Sequence, residues 1–224
     1  MAEDLYDYPE LYHKSYSKTF GRLALNRIGL TNITAEDTVL CVGAGTGLVA
    51  SWIERNHNST VYSLEPHPAM RQKCAEVVDG SVISGSIEDI PLQDDTATVT
   101  VCSGGVISYA NPLSDAISEV VRVTKTGGRI GLSGFQPNFT TDTEYQYIDS
   151  QTEVNIKWES QDDTDKAIVS FTYAGSQFED QLVTQTEVTE VPKEDILREF
   201  RNHETGSPTV VSDRNLIWGI NVIC

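Results

Sequence analysis

The sequence has no long apolar run and few basic residues. No stretch approaches the ~18 consecutive apolar residues of a membrane-spanning helix, and the N-terminus is acidic and polar, unlike a signal peptide. Lysine and arginine together number 16 against 33 acidic residues, which gives a net charge of −17, and they form no basic run. Because such a surface repels phosphate groups, we expect a protein that binds neither nucleic acid nor membrane. Because neither a spanning helix nor a signal peptide can be recognised, we expect it to be cytoplasmic.

The same acidity suggests a protein that works at high salt. Strong acidity with few lysines is typical of proteins from a high-salt cytoplasm, where screening removes most of the self-repulsion. We therefore expect an acidic, halophilic protein, with an acidic mesophilic protein as the alternative.

Metal-ligand patterns are also missing. The four cysteines show no CxxC spacing and stand mostly in apolar runs, and the four histidines form no HExxH motif. We expect neither a disulfide framework nor a metal site. With 224 residues, of which 39% are hydrophobic, the chain has the size and composition of a single globular domain.

Short apolar segments alternate with helical patterns through the first 135 residues, after one or two helices that begin near residue 9. Strands are expected at 38–42, 60–64, 81–84, 97–102 and 129–134, and helices at 48–56, 67–77 and 112–123. This alternation predicts an α/β fold with a doubly wound, mostly parallel sheet of the seven-stranded type and helices on both faces.

The pattern changes after Phe135. Three β-rich segments at 152–158, 166–173 and 179–190 have no helix between them, which predicts an antiparallel meander. A helix at 192–202 and a last strand at 215–223, joining the main sheet, complete the chain. We expect one domain over 1–224, with a helical lid (1–34), a core (35–135) and a C-terminal part (136–224), and a possible homodimer through the 136–190 meander.

The strongest motif is VLCVGAGTGL, in which the 38–42 strand runs into Gly43, Gly45 and Gly47 before a helix. Glycine allows a ligand to approach the backbone, and a helix N-terminus presents free N–H groups. The dinucleotide fingerprint would need glycine at position 48, where this chain has Leu48, so a nicotinamide cofactor is disfavoured. Taken alone, the loop is also compatible with a simple turn.

The next strand ends in a carboxylate, Glu65. An acid at this place can accept both hydrogen bonds of a ribose diol, as nucleoside-binding α/β folds require. The alternative is a solvated Glu that caps the following helix. Paired with the glycine loop, the ribose interpretation is favoured.

With these residues the chain resembles the class I methyltransferases that depend on S-adenosylmethionine (SAM), in particular the small-molecule type similar to the ubiquinone and menaquinone biosynthesis methyltransferases. The resemblance covers about residues 35–135. Three further segments carry it: GSIEDIPL at 85–92, DTATV at 95–99 and EVVRVTKTGGRI at 119–130.

The resemblance implies SAM as cofactor and a small-molecule acceptor. It implies that SAM contacts the glycine loop, a ribose acid, an adenine segment, the end of the fourth strand and an aromatic lid. The corresponding cofactor-binding residues are Gly43, Ala44, Gly45, Gly47, Glu65, Ser86, Ile87, Ser103 and Tyr16, with Tyr12 as a second aromatic candidate. For Tyr12 and Tyr16, simple packing in a surface helix is an equal alternative.

Two residues depart from the family pattern. Cys41 replaces the usual Asp of the first strand, and Ser86 replaces an Asp that contacts the adenine amino group. Both changes weaken polar contacts to the cofactor. They leave open a degenerate SAM-binding protein with a regulatory or partner role.

The expected chemistry is in-line methyl transfer, to which the enzyme contributes mainly positioning. His13, His67 and Tyr109 are the nearest candidates for a base by location, but each is better explained as structural or exposed, so no catalytic residue is assigned. The Asn/Asp-Pro-Pro-Tyr/Phe motif of amide-nitrogen methyltransferases is missing after the fourth strand, which disfavours DNA or protein amides as acceptors.

Overall fold

The computed structural model describes residues 2–17, 22–30, 32–135, 140–142, 146–161, 164–203, 205–214 and 217–224. Parts of the predicted lid (18–21 and 31), of the meander (136–139, 143–145 and 162–163) and of the last strand (215–216) lie outside the described residues. Within the described ranges, no helix combines the length and apolar character that crossing a membrane requires.

The elements of the first half alternate as predicted from the β-strand at 38 onward. In chain order they are β1 (Glu3–Asp4), α1 (Pro9–Tyr16), α2 (Arg22–Arg27), β2 (Thr38–Val42), α3 (Leu48–His57), β3 (Thr60–Leu64), α4 (Pro68–Val77), β4 (Ser81–Ile83), β5 (Ala97–Cys102), α5 (Leu113–Val123) and β6 (Thr124–Phe135). The second half is mostly strand. It consists of β7 (Thr140–Asp142), β8 (Gln146–Tyr147), β9 (Thr152–Ser160), β10 (Lys166–Gly175), β11 (Leu182–Thr189), α6 (Lys193–Phe200), β12 (Thr209–Arg214) and β13 (Ile217–Ile223).

The main sheet has the order β4-β3-β2-β5-β6-β13-β12 in the described part of the chain. Strands β4 to β6 in this order are parallel, whereas β13 runs antiparallel to β6 and β12 antiparallel to β13. The doubly wound, mostly parallel fold predicted from the alternation is therefore confirmed, and so is the return of the last strand to this sheet.

Both faces of the main sheet are covered, which explains why its strands are continuous apolar runs. Leu40 and Val42 of β2 pack in one core cluster with α5 and α6. Val39 and Cys41 point the other way and pack in a second cluster with α2 and α3. The alternation of side chains along one strand thus joins the two layers of helices to the same sheet.

The predicted meander forms a second sheet, with β9, β10 and β11 antiparallel. Along β10, buried residues alternate with less buried ones, as expected for a sheet with one covered face. That face has its own core, which includes Phe171 and Tyr173. Helix α1 covers it, since Leu11, Tyr12 and Tyr16 pack against this cluster.

Several features differ from the predictions, including the unpredicted strands β7 and β8 that pair with β9. The lid begins with a strand, β1, which pairs parallel to β11, so it is not helical throughout. The edge strand β12 was not predicted, because four of its six residues are polar or charged. Strand β6 begins at Thr124, five residues before the predicted start, because Gly127 adopts a positive φ of 78° and lets the backbone continue beside the end of β13.

Arg122 at the end of α5 holds the loop between β4 and β5 in place. Its guanidinium donates to the carbonyls of Ile90 and Leu92 at 2.9 and 2.8 Å, and it pairs with Asp94 and with Glu119. Glu119 in turn accepts the N–H of Ile90 at 2.8 Å. Two residues of the family-like segment at 119–130 are therefore structural, since they clamp the loop that carries residues 85–92.

Replacing Arg122 by Ala should lower the free energy of unfolding by about 2 kcal/mol, because several charge-assisted hydrogen bonds and their partners are lost together. Urea unfolding at fixed salt measures this. The matched control is Arg198→Ala, whose partner Asp195 lies on the exposed surface of α6; it should cost less than about 0.5 kcal/mol. Equal losses in the two variants would contradict a clamping role.

Candidate functional site

The site lies where the strand order of the main sheet reverses, between β2 and β5. In open α/β sheets, ligands bind in the crevice outside the carboxyl ends of the strands at such a switch point. The loops that follow β2 and β5 both reach a cavity of about 540 Å³ there. The residues that line it are Tyr6, Tyr12, Gly43, Gly45, Leu64, Glu65, Pro66, His67, Pro68, Met70, Gly85, Ser86, Ile87, Glu88, Ser103, Gly104, Val106, Tyr109 and Thr186.

The glycines of the loop after β2 have different roles. All three have a positive φ, of 61° at Gly43, 59° at Gly45 and 82° at Gly47. A Cβ on Gly43 would lie 2.4 Å from a Val106 methyl group, so this glycine permits close packing under the cavity. A Cβ on Gly45 would meet only a Met70 methyl at 3.8 Å, so this backbone borders open space and can be approached by a ligand.

Gly47 does not line the cavity. It precedes α3, and a Cβ there would lie 2.9 Å from a methyl of Val78 and 3.1 Å from the sulfur of Cys74. Its role in the structure is to let the start of α3 pack against the end of α4. Ala44 is also turned away from the cavity, since it donates its N–H to the carbonyl of Leu64 and lines a smaller pocket.

Glu65 connects two loops at the floor of the cavity. One carboxylate oxygen accepts the N–H of Gly45 at 2.7 Å, and the other accepts the N–H of His67 at 2.9 Å. The residue is only 6% exposed. Burial raises the pKa of Glu65, although the two backbone N–H groups oppose this shift. The carboxylate retains lone pairs for two further donors.

The segment after β4 forms one wall. Gly85, Ser86, Ile87 and Glu88 all border the cavity, and the wall is held from behind by the clamp of Arg122. Ser103 lies on the opposite side, at the end of β5. The structure therefore brings Gly43, Gly45 and Glu65 to one cavity together with the predicted Ser86, Ile87 and Ser103.

The predicted aromatic residues of the lid lie at two places. Tyr12 lines the main cavity and also a small adjoining pocket of about 50 Å³, whereas Tyr16 lines only the small pocket. Tyr16 packs against Tyr12 and Phe171, with ring centroids 4.8 and 5.7 Å apart. Tyr16 is thus largely a core residue between the lid and the second sheet, beside the glycine loop.

Tyr6 and Thr186 were not predicted as site residues. The Tyr6 hydroxyl lies 2.5 Å from the hydroxyl of Tyr109, and Thr186 on β11 brings a residue of the second sheet to the cavity. These contacts depend on how the two sheets meet, which no local pattern records. For Tyr6, the aromatic richness of the N-terminal segment was the one available signal.

The three candidates for a base occupy different positions. His13 contacts the hydroxyl of Thr46 through Nδ1 at 2.9 Å, and burial lowers the pKa of this histidine. It therefore attaches the lid to the glycine loop and does not line the cavity. His67 does line the cavity, with Nε2 3.6 Å from Asp7 and its ring 5.8 Å from that of Tyr6. Tyr109 stands at the mouth.

The known proteins to which this chain is similar are described as methyltransferases. The family described as "Methyltransferase domain" matches residues 40–132. A malonyl-[acyl-carrier protein] O-methyltransferase of Serratia marcescens is 29% identical over 134 residues, which is 57% of this chain and 51% of that protein. An uncharacterized methyltransferase of Mycobacterium tuberculosis is 36% identical over 96 residues, 42% of this chain and 38% of that protein. The chain thus spans about half or less of these relatives.

Among solved structures, a SAM-dependent methyltransferase from Clostridium acetobutylicum is similar over 97% of both chains, with a TM-score of 0.72 and 11% identity. At this identity the likeness shows the fold alone. It extends beyond residues 40–132 and therefore includes the second sheet.

Gly43→Ala tests the packing under the cavity. The new Cβ would clash with Val106, and alanine would also be strained at the positive φ. The variant should therefore be destabilised by about 1–3 kcal/mol more than a variant in which alanine has only the strained φ and no clash. Gly127→Ala is that control, since its φ is 78° and nothing lies within 4 Å of its Cβ position. Thermal and urea unfolding measure both variants. A Gly43→Ala protein as stable as Gly127→Ala would refute the close contact.

Proposed function

We propose that this chain binds SAM in the 540 Å³ cavity and transfers its methyl group to a small molecule, since the methyltransferase domain family matches residues 40–132. The observation that carries the proposal is Glu65, a buried carboxylate aimed into the cavity beside Gly45. A ribose diol donates two hydrogen bonds, and the buried carboxylate of Glu65 offers two acceptor sites that are shielded from water.

The remaining predicted contacts follow from this placement. With the ribose on Glu65, the adenine lies along Ser86 and Ile87, and the methionine part extends past Gly43 and Gly45 toward Ser103. All of these residues line one cavity. Tyr12 and Tyr16 border the same end, where aromatic faces suit a sulfonium. Gly47 and Ala44 contribute indirectly, by shaping the loop.

The reaction follows from the chemistry of the donor. A sulfonium already activates its methyl carbon, so the protein mainly aligns the acceptor with the breaking carbon–sulfur bond and excludes water. Turnover is measured as the conversion of SAM to S-adenosylhomocysteine (SAH). A chain that binds SAM without such turnover for any acceptor would instead act as a SAM-binding partner protein.

Calorimetric titration of SAM and SAH at high salt tests the cofactor. Both should bind at one site, and Glu65→Gln should weaken SAH binding by about tenfold or more, because a charged acceptor of two hydroxyls is lost. Glu36→Gln is the control, since Glu36 is exposed ahead of β2. No binding of either compound to the unaltered chain would overturn the proposal.

The affinity for SAH should fall as the pH decreases, since the ionised carboxylate is the form that accepts the ribose. Burial raises the pKa of Glu65, so this loss should begin at a higher pH than for an exposed Glu. The raised pKa favours the protonated form in the folded state, so protonating Glu65 does not unfold the chain.

Acid unfolding should begin at a lower pH. Hydrogen bonds from Arg122 lower the pKa of Glu119, whose stabilising contribution is lost only as the pH falls through that lowered value. Titrations at a series of pH values, with circular dichroism at each, separate the two events. An SAH affinity in Glu65→Gln that still shows the same pH dependence would contradict the assignment.

A further inference from the structure

We propose that the methyl acceptor is a small amine-bearing molecule, bound beside Tyr6, Tyr109 and Thr186. The inference rests on the proposed function, because it concerns lining residues of the same cavity that were not predicted as cofactor contacts. These three side chains come from the lid, from the turn after β5 and from β11, whereas the predicted ribose and adenine contacts come from β3 and the segment after β4.

The three residues form a polar group at one end of the cavity. The hydroxyls of Tyr6 and Tyr109 are 2.5 Å apart, and Thr186 lines the same cavity. Each hydroxyl has one proton and two lone pairs. The hydrogen bond between the two tyrosines uses one proton and one lone pair, so two protons and five lone pairs remain for a ligand. The group therefore offers mainly acceptors, which match the N–H donors of an amine.

The charges around the cavity favour the same ligand class. Among the described residues that line it, the formally charged ones are Glu65 and Glu88, and neither Lys nor Arg is present. Asp7 lies 3.6 Å from His67 at the lid side. The neighbouring Arg71 is directed to the carbonyls of Glu65 and Pro66. A carboxylate or phosphate would be desolvated here without a counter-ion, whereas a cation is attracted.

The aromatic rings add to this preference. The rings of Tyr6 and Tyr12 have centroids 6.0 Å apart in an edge-to-face arrangement, and those of Tyr6 and Tyr109 are 6.1 Å apart. A protonated amine can lie over such faces and remain charged until it is aligned.

The methyl-transfer step balances without a further co-reactant. The ammonium first releases a proton to water. The nitrogen lone pair then forms the new N–C bond while the C–S bond of SAM breaks and its electron pair stays on sulfur, giving SAH. The product carries the positive charge that the sulfonium loses. Burial raises the pKa of Tyr6 well above its usual range, so this phenol remains protonated and positions the amine without taking its proton.

The test uses SAH-saturated protein and two probes that share a cyclohexyl ring and carry opposite charges, cyclohexylamine and cyclohexanecarboxylate, at the same pH and ionic strength. Binding is measured by calorimetry and by saturation-transfer NMR. The amine should bind at least about tenfold more tightly than the carboxylate. Equal or tighter binding of the carboxylate, or no binding of the amine, overturns the proposal.

Substitutions of cavity residues test where the amine binds. Tyr109→Phe and Thr186→Val each remove one hydroxyl and should weaken amine binding by about fivefold or more. Glu88→Gln should reduce the preference for amine over carboxylate, because one negative charge is removed. Tyr62→Phe is the control, since Tyr62 lies on β3 and lines a separate pocket.

SAH affinity distinguishes this proposal from the proposed function. It should change less than about twofold in Tyr109→Phe and Thr186→Val, which also shows that the variants are folded. Amine binding that is unchanged in both variants places the acceptor elsewhere and overturns the inference, while SAH binding continues to support the cofactor site. Loss of SAH binding in the unaltered chain would instead refute the proposed function itself.

Discussion

The shape of the cavity depends on the hydrogen bonds that the carboxylate of Glu65 accepts. The carboxylate joins the loop after β2, through Gly45, to the loop after β3, through His67. A buried charge is costly unless it is hydrogen-bonded, and two backbone N–H groups meet that need here. Because both oxygens are held, the acid has one orientation. The open backbone at Gly45 and the acid beside it therefore form a single rigid corner.

The other end of the cavity is formed by parts of the chain that are far apart in sequence. The lid is attached to the second sheet through β1 and β11, and to the main sheet through His13 and Thr46. An ion pair between Lys73 on α4 and Glu10 on α1 adds a further connection. Because the second sheet and the lid pack on each other, Tyr6 and Thr186 reach the same opening. The end proposed for the cofactor is built by local motifs, whereas the end proposed for the acceptor is built by the packing of the lid and the second sheet.

This division explains how much could be predicted from the sequence. Strands β2, β3 and β5 have the predicted bounds, because strands buried on both faces are continuous apolar runs with clear ends. The edge strands β1 and β12 were missed, since both consist mostly of polar or charged residues and give little apolar signal. Gly43, Gly45 and Glu65 could be found because a motif and a strand end are local features.

Thr186, by contrast, sits in a polar position on a half-exposed strand, and no local feature separates it from its neighbours. Its relevance arises only from its place in the lining of the cavity. Gly47 shows the converse case, because a motif position that resembles a ligand contact serves helix packing against Cys74 and Val78. Sequence patterns thus identify positions with an unusual backbone conformation more reliably than they show whether such a position faces a cavity or a packed helix.

Cys41 stands where the family pattern has Asp, and this departure could weaken the loop after β2 only if the loop depended on that acid. An Asp at this position would help to organise the loop, but here the loop is held by other groups: Glu65 binds Gly45, Ala44 donates to Leu64, and His13 contacts Thr46. The thiol itself is 3% exposed in an apolar cluster, and burial raises its pKa far above the usual range. It remains a neutral thiol and introduces no unpaired charge.

A carboxylate at position 41 would need partners in this apolar environment, and Glu65 already binds the nearby N–H of Gly45. The change to cysteine therefore removes a charge from the loop without leaving its backbone unsupported. This favours a working cofactor site over a degenerate one. Under the proposed function, the cost of the change falls on the methionine end of the cofactor, where the family acid would act, and not on the ribose, which is assigned to Glu65.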